Sequence, residues 1–105
     1  MEREGLTVTV NRTPAEAVVC LQGAIDMSSV VKLRSAVEHL LLDAPPRVLL
    51  DLGGVTFCDS LGLGTLVSLS QKARMVQSVI VLTNIGDFLN RVLDVTGLRP
   101  ALVIA

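Results

Sequence analysis

Ser60 is the residue of this chain whose type and setting could carry chemistry. It follows Asp59 and precedes Leu61-Gly62-Leu63-Gly64. Here a short apolar run, Val48-Leu49-Leu50-Asp51-Leu52, gives way to Leu63, Leu66, Val67 and Ser70 at helical spacing. Lys72 and Arg74 then put positive charge where a helix C-terminus favours it. A serine at or beside an N-cap can satisfy free backbone N–H groups through its hydroxyl. Those donors, together with the positive end of the helix dipole, can also receive a phosphate. The chemistry on offer is a switch between a neutral hydroxyl and a dianion. On spacing alone, a purely structural cap is the favoured reading.

Nothing around Ser60 equips it for catalysis. The Gly-x-Ser-x-Gly elbow of a serine hydrolase is missing, because Cys58 stands at the first glycine position. His39, the one histidine, falls on the polar side of another expected helix, so no general base is in evidence. Gly62-x-Gly64 followed by Val67 fails the dinucleotide fingerprint, and there is no Gly-Lys-Ser/Thr phosphate loop. Cys20 and Cys58 sit in apolar segments without metal-ligand spacing and read as buried, reduced thiols. No catalytic residue, cofactor or metal is expected.

Composition narrows the partners. Nine basic and ten acidic residues are well mixed, for a net charge of −1, and Phe57 and Phe88 are the only aromatics. A basic face and stacking side chains are both lacking, so no nucleic acid partner is expected. The 105 residues suffice for one core, giving a single domain over 1–105. Half the residues are hydrophobic and mean hydropathy is +0.63. No apolar run nears the roughly 18 residues of a membrane span. The apolarity therefore implies strands buried on both faces, or an exposed apolar patch used for binding. The charged start Met1-Glu2-Arg3-Glu4 lacks a following apolar segment, so a cytoplasmic protein without membrane insertion is expected.

The elements that must position Ser60 follow from pattern. Strands over 6–10 and 17–21, joined through Thr13-Pro14-Ala15-Glu16, form an antiparallel hairpin. Gly23 breaks the second strand before Ala24-Ile25-Asp26. Asp26, Ser28 or Ser29 caps a first helix, Met27 reads as packing, and Val30, Leu33, Val37, Leu40 and Leu41 line the buried face. Lys32, Ser35, His39 and Asp43 lie opposite, and Pro45-Pro46 ends the helix. A third strand over 47–52 stops at Gly53-Gly54 and leads to the Ser60 helix. A strand over 79–82 and a helix from about 87 to 96 follow, with Phe88, Leu89, Val92 and Leu93 on one side. Gly97 is placed for a left-handed cap with Leu98 packing behind it, and 101–104 is the last strand. The order β-β-α-β-α-β-α-β implies an α/β fold: a mixed sheet, hairpin first and then helix-linked parallel strands, covered by helices.

Three stretches, in order and at compatible spacing, carry a resemblance. They are Gly23-Ala24-Ile25-Asp26, residues 50–64 ending in Asp59-Ser60-Leu61-Gly62-Leu63-Gly64, and Asn90-Arg91-Val92-Leu93-Asp94-Val95-Thr96-Gly97-Leu98. Together they resemble the anti-sigma factor antagonists, the bacterial branch of the STAS domain family (sulfate transporter and anti-sigma factor antagonist). The resemblance implies a STAS-like fold and a protein without catalysis of its own. It implies a partner that is an anti-sigma factor and a serine kinase, from which the sigma factor is released. It further implies that the kinase phosphorylates Ser60 and that a PP2C-type phosphatase reverses the step. It puts Gly23, Ala24, Ile25 and Asp26 with Asp59, Ser60, Leu61 and Gly62 at the partner surface. Ala24 replaces the family's usual Glu, and Leu61 replaces its second Ser or Thr, which makes the patch more apolar. The family often continues into a further helix beyond the position of Ala105. Lack of that helix would favour self-association, so a monomer or weak homodimer is expected. The alternative is a non-switching scaffold subunit of a stress-sensing or membrane transporter complex.

Overall fold

The structure, a computed structural model, describes residues 5–105. The charged start on which the absence of a signal segment was read lies outside the described residues. Strands β1 (Thr7–Arg12) and β2 (Glu16–Ile25) form the antiparallel hairpin, with six paired positions from Thr7↔Gln22 to Arg12↔Ala17. Helix α1 (Val30–Leu41) leads to β3 (Arg47–Cys58), α2 (Ser60–Met75) to β4 (Val79–Thr83), and α3 (Asp87–Thr96) through a short 3-10 turn to β5 (Val103–Ile104). The sheet order is β1-β2-β3-β4-β5, and β2 to β5 run parallel.

Each new parallel strand is added on the same side, and right-handed crossovers then put the three helices on one face. Alternation turns Val19, Leu21, Val48, Leu50, Leu52, Ile80 and Leu82 to that face. There they form one core with Leu33 and Val37 of α1, Leu66 and Leu69 of α2, and Leu89 and Leu93 of α3. Val18, Leu49 and Val81 form a row across the opposite face and take no part in that core. The helices thus cover one face of the sheet.

In α1 the five expected residues are the buried ones, Val30, Leu33, Val37, Leu40 and Leu41. Burying each such side chain is worth about 1.5–3 kcal/mol, whereas a cap is worth about 1 kcal/mol. The packed face therefore decides that this helix forms, and no side-chain cap is present at Ser29.

Gly53-Gly54 does not end the third strand. β3 continues to Cys58 because β2 runs beside it as far as Ile25, with register shifts between Cys20 and Gln22 and between Gly23 and Ala24. The glycines let the chains approach: a Cβ at position 54 would lie 2.6 Å from Gln22 Cγ. Gly23, expected to break β2, stays within it at φ +107°, where a Cβ would lie 2.0 Å from the Gly5 carbonyl oxygen. Phe88 does not join the buried side of α3; it is half exposed, while Leu89 and Leu93 are buried and Val92 packs against the core half-buried. Gly97 is the left-handed cap at φ +72°, its N–H donating to the Leu93 carbonyl at 3.0 Å, with Leu98 packed on the core. The last strand keeps only Val103–Ile104, because Arg99–Ala101 is taken up by the 3-10 turn around Pro100.

Candidate functional site

The carboxyl ends of β2 and β3 and the amino ends of α1 and α2 meet at one end of the sheet. Asp59 is the N-cap of α2: its backbone is extended (φ −85°, ψ −178°), and its Oδ1 accepts the Gly62 N–H at 2.8 Å. Its own N–H donates to the Ile25 carbonyl at 3.1 Å, which ties the start of α2 to the end of β2. Ser60, read as lying at or beside the cap, is the first helical residue beside it. The carboxylate takes the capping bond, and the Ser60 hydroxyl is left exposed with no hydrogen bond among the described residues.

The second loop is built just as locally. The Asp26 Oδ1 accepts from the Ser28 N–H at 3.0 Å and from the Ser28 hydroxyl at 2.7 Å, a tight turn ahead of α1. Ser29 holds the N-cap position, but its buried hydroxyl donates to the Ala24 carbonyl at 2.8 Å and accepts the Asp26 N–H at 2.9 Å. Its role is to fold the loop back on β2 rather than to cap the helix. Between the loops lies a depression of about 320 Å³ lined by Asp26, Met27, Ser28, Phe57 and Asp59.

Gly23, Ala24, Ile25 and Gly62, expected at the partner surface, are buried. Strand alternation and the core take them, so they shape the surface from beneath, while Asp26, Asp59, Ser60 and Leu61 face outward or half outward. At Gly62 a Cβ would lie 2.7 Å from Ile25 Cγ2, 2.8 Å from the Ile25 carbonyl oxygen and 3.0 Å from Cys58 Sγ. Glycine is required there because α2 rests directly on β2.

Two neighbours were not legible as surface residues. Met27, read as packing, is 77% exposed, and Phe88, read as core, is 50% exposed. The Phe88 ring sits 6.0 Å from that of Phe57, which brings the start of α3 into the same surface. With Leu61 at 45% exposure, these side chains make an apolar rim around two carboxylates and the hydroxyls of Ser28 and Ser60. A helix period marks which residues share a face, but not where the sheet beneath ends, so the sequence offered no signal for the exposure of Phe88.

Cys58 is buried under this rim. Burial first, and the Asp59 carboxylate second, push its thiol up to about 11, so it stays protonated near neutral pH. Cys20 is only half buried, because it points to the face without helices; both thiols are free. Among the described residues no group of three His, Cys, Asp or Glu could hold a metal, and no helix is long and apolar enough to cross a membrane.

The arrangement can bind a protein surface, and among the described residues no base is hydrogen-bonded to the exposed Ser60 hydroxyl. A phosphate on Ser60 would meet the free N–H groups of the first turn of α2, but it would also lie beside the Asp59 carboxylate.

Comparisons with known proteins agree with this geometry. A crystal structure of an anti-sigma factor antagonist from Mycobacterium paratuberculosis superposes with a TM-score of 0.84 at 27% identity, covering 95% of this chain and 85% of that one. The anti-sigma-B factor antagonist of Listeria monocytogenes is 31% identical over 86 residues, 82% of this chain and 75% of the relative. The anti-sigma-F factor antagonist RsfB of Mycobacterium tuberculosis is 33% identical over 69 residues, 66% of this chain and 57% of the relative. The family profile described as "Mlab, STAS domain" matches residues 8–104, from the second residue of β1 to the last of β5. Strand order, capped α2 and the glycines beneath it all fall inside that match, and the chain belongs to the STAS domain family.

Proposed function

We propose that this chain is an anti-sigma factor antagonist, acting through 1–105 as one STAS domain in the cytoplasm. Its docking to a serine-kinase anti-sigma factor is switched off by phosphorylation of Ser60 and restored by a PP2C-type phosphatase. The observation that carries this reading is the exposure of Ser60 on the first turn of α2, inside an apolar rim of Met27, Leu61 and Phe88. The relatives named above, all anti-sigma factor antagonists, support it. Leu61 and Met27 supply apolar area for a partner to cover, and Asp26 and Asp59 supply acceptors at its edge. The chain itself is read as non-enzymatic.

Electrostatics explains why one phosphate suffices. Phosphorylation adds about −1.5 to −2 charges at neutral pH. At a closed interface the dianion must be desolvated next to the Asp59 carboxylate, and such a like-charge juxtaposition costs several kcal/mol. Moving a complex from almost fully bound to almost fully free takes about 5.5 kcal/mol. The two magnitudes are close enough for a single modification to act as the switch.

The test is binding of the kinase partner in the presence of ATP, followed by calorimetry and pull-down. Ser60→Ala is expected to stay bound, and Ser60→Asp to bind at least tenfold more weakly. Equal affinity of both variants and the wild type rejects the switch. A large complex that persists regardless of ATP supports a fixed scaffold instead.

A further inference from the structure

At the opposite end of the helical layer, the last turns of α1 and α2 enclose an open groove of about 270 Å³. It is lined by Glu38, Leu41, Leu42, Lys72, Met75 and Val76. Leu42 is 80% exposed and Met75 83%, more than any other large apolar side chain among the described residues except Val95 at 81%. Two flexible apolar side chains, mostly in water, thus stand beside an apolar groove as one exposed patch. One ion pair crosses it, from Lys72 Nζ on α2 to Glu38 Oε2 on α1, and both side chains are partly exposed.

We propose that this groove is where a second copy of the chain docks, face to face across a two-fold axis. The patch contains both the hollow and the protruding side chains that would fill it, as a two-fold interface requires. Its charges are self-complementary as well. Laying α1 of one copy along α2 of the other sets Glu38 opposite Lys72 of the second copy, and the reverse contact repeats it. Met at the centre with one neutral charge pair at the margin matches the composition of interface cores. Six side chains are far fewer than the roughly 20–30 residues a side of a stable interface, so the dimer is weak and depends on concentration. Ser60 and Met75 are the first and last residues of α2, roughly 22 Å apart at 1.5 Å per residue. The dimer therefore leaves both Ser60 surfaces free, and it does not rest on the function proposed for them.

Sedimentation equilibrium of the full chain, from micromolar to millimolar concentration, tests this. The wild type is expected to shift reversibly from monomer to dimer. Met75→Lys is expected to raise the dissociation constant about tenfold or more, as loss of an interface anchor does. Glu38→Lys and Lys72→Glu should each be monomeric alone, because like charges then face each other. Mixed in equal amounts they should associate, since each Lys then meets a Glu; only a second copy in this geometry predicts that rescue. Circular dichroism of each variant, unchanged from the wild type, separates loss of association from loss of fold. A wild type that stays monomeric at every concentration overturns the proposal and assigns the groove to another partner. A mixture that remains monomeric while the wild type dimerises overturns it too, by placing the interface elsewhere.

Discussion

Two glycines two residues apart on α2 do opposite things, and the contacts at each position say why. Gly62 faces the end of β2, where an added methyl would press on Ile25 Cγ2 and on the Ile25 carbonyl. That carbonyl cannot retreat without giving up the bond from the Asp59 N–H. Gly62→Ala is therefore expected to destabilise by about 1–3 kcal/mol, the usual cost of overpacking. Gly64 has nothing within 4 Å of its Cβ position and is exposed. Gly64→Ala should gain up to about 1 kcal/mol from helix propensity alone. Urea titrations of the two variants decide the matter, and equal effects would mean that α2 does not rest on β2 as described. Nothing in the sequence distinguishes the two positions. Which of the two meets the sheet depends on the rotation of the helix, and that is set by packing rather than by local pattern.

At the scale of elements, the sequence was most readable where a long amphipathic face decides the outcome. The five aliphatic residues of α1 repeat at helical spacing, and they are the residues the core takes. It was least readable where a neighbour decides. Gly53-Gly54 has the form of a turn, yet pairing with β2 keeps it extended to Cys58. Phe88 shares the period of the buried residues of α3, yet it lies at the surface beside Phe57. Ser60 and Asp59 are both competent caps, and the carboxylate takes the position because its extended backbone points Oδ1 at the Gly62 N–H. Asp59→Ala is accordingly expected to cost about 0.5–2 kcal/mol in thermal unfolding, with Asp59→Asn close to the wild type because it keeps the acceptor. The Gly62 amide should lose hydrogen-exchange protection in the alanine variant alone. If Ser60→Ala proved as destabilising as Asp59→Ala, the serine would be the cap and its exposure would need another explanation.

Taken as a whole molecule, the fold is secured unevenly along the chain, and the unevenness bears on how the Ser60 surface works. β2 and β3 each have a neighbour on both sides, and they carry fully buried Val19, Ile25, Val48 and Leu50. At the other edge β5 is held by two pairs, Val81↔Val103 and Leu82↔Ile104, and α3 buries only Leu89 and Leu93. Elements with few buried apolar contacts open at lower free energy than the core. The α3–β5 edge is thus expected to open as a local unit, while α2, which buries seven residues, stays with the central strands. Native-state hydrogen exchange should find the amides of Val48 and Leu50 exchanging only by global unfolding. The Ala105 amide, bonded to the Leu82 carbonyl at 3.0 Å, and those of α3 should exchange several orders of magnitude faster. This difference matters for docking, because Phe88 sits on the looser unit and Ser60 and Leu61 on the firmer one. A partner could then adjust Phe88 to its own surface while the Ser60 hydroxyl stays fixed against the cap. Exchange of α3 at the global rate would instead make the surface rigid throughout, and Phe88 would have to fit a partner in the one position it holds beside Phe57.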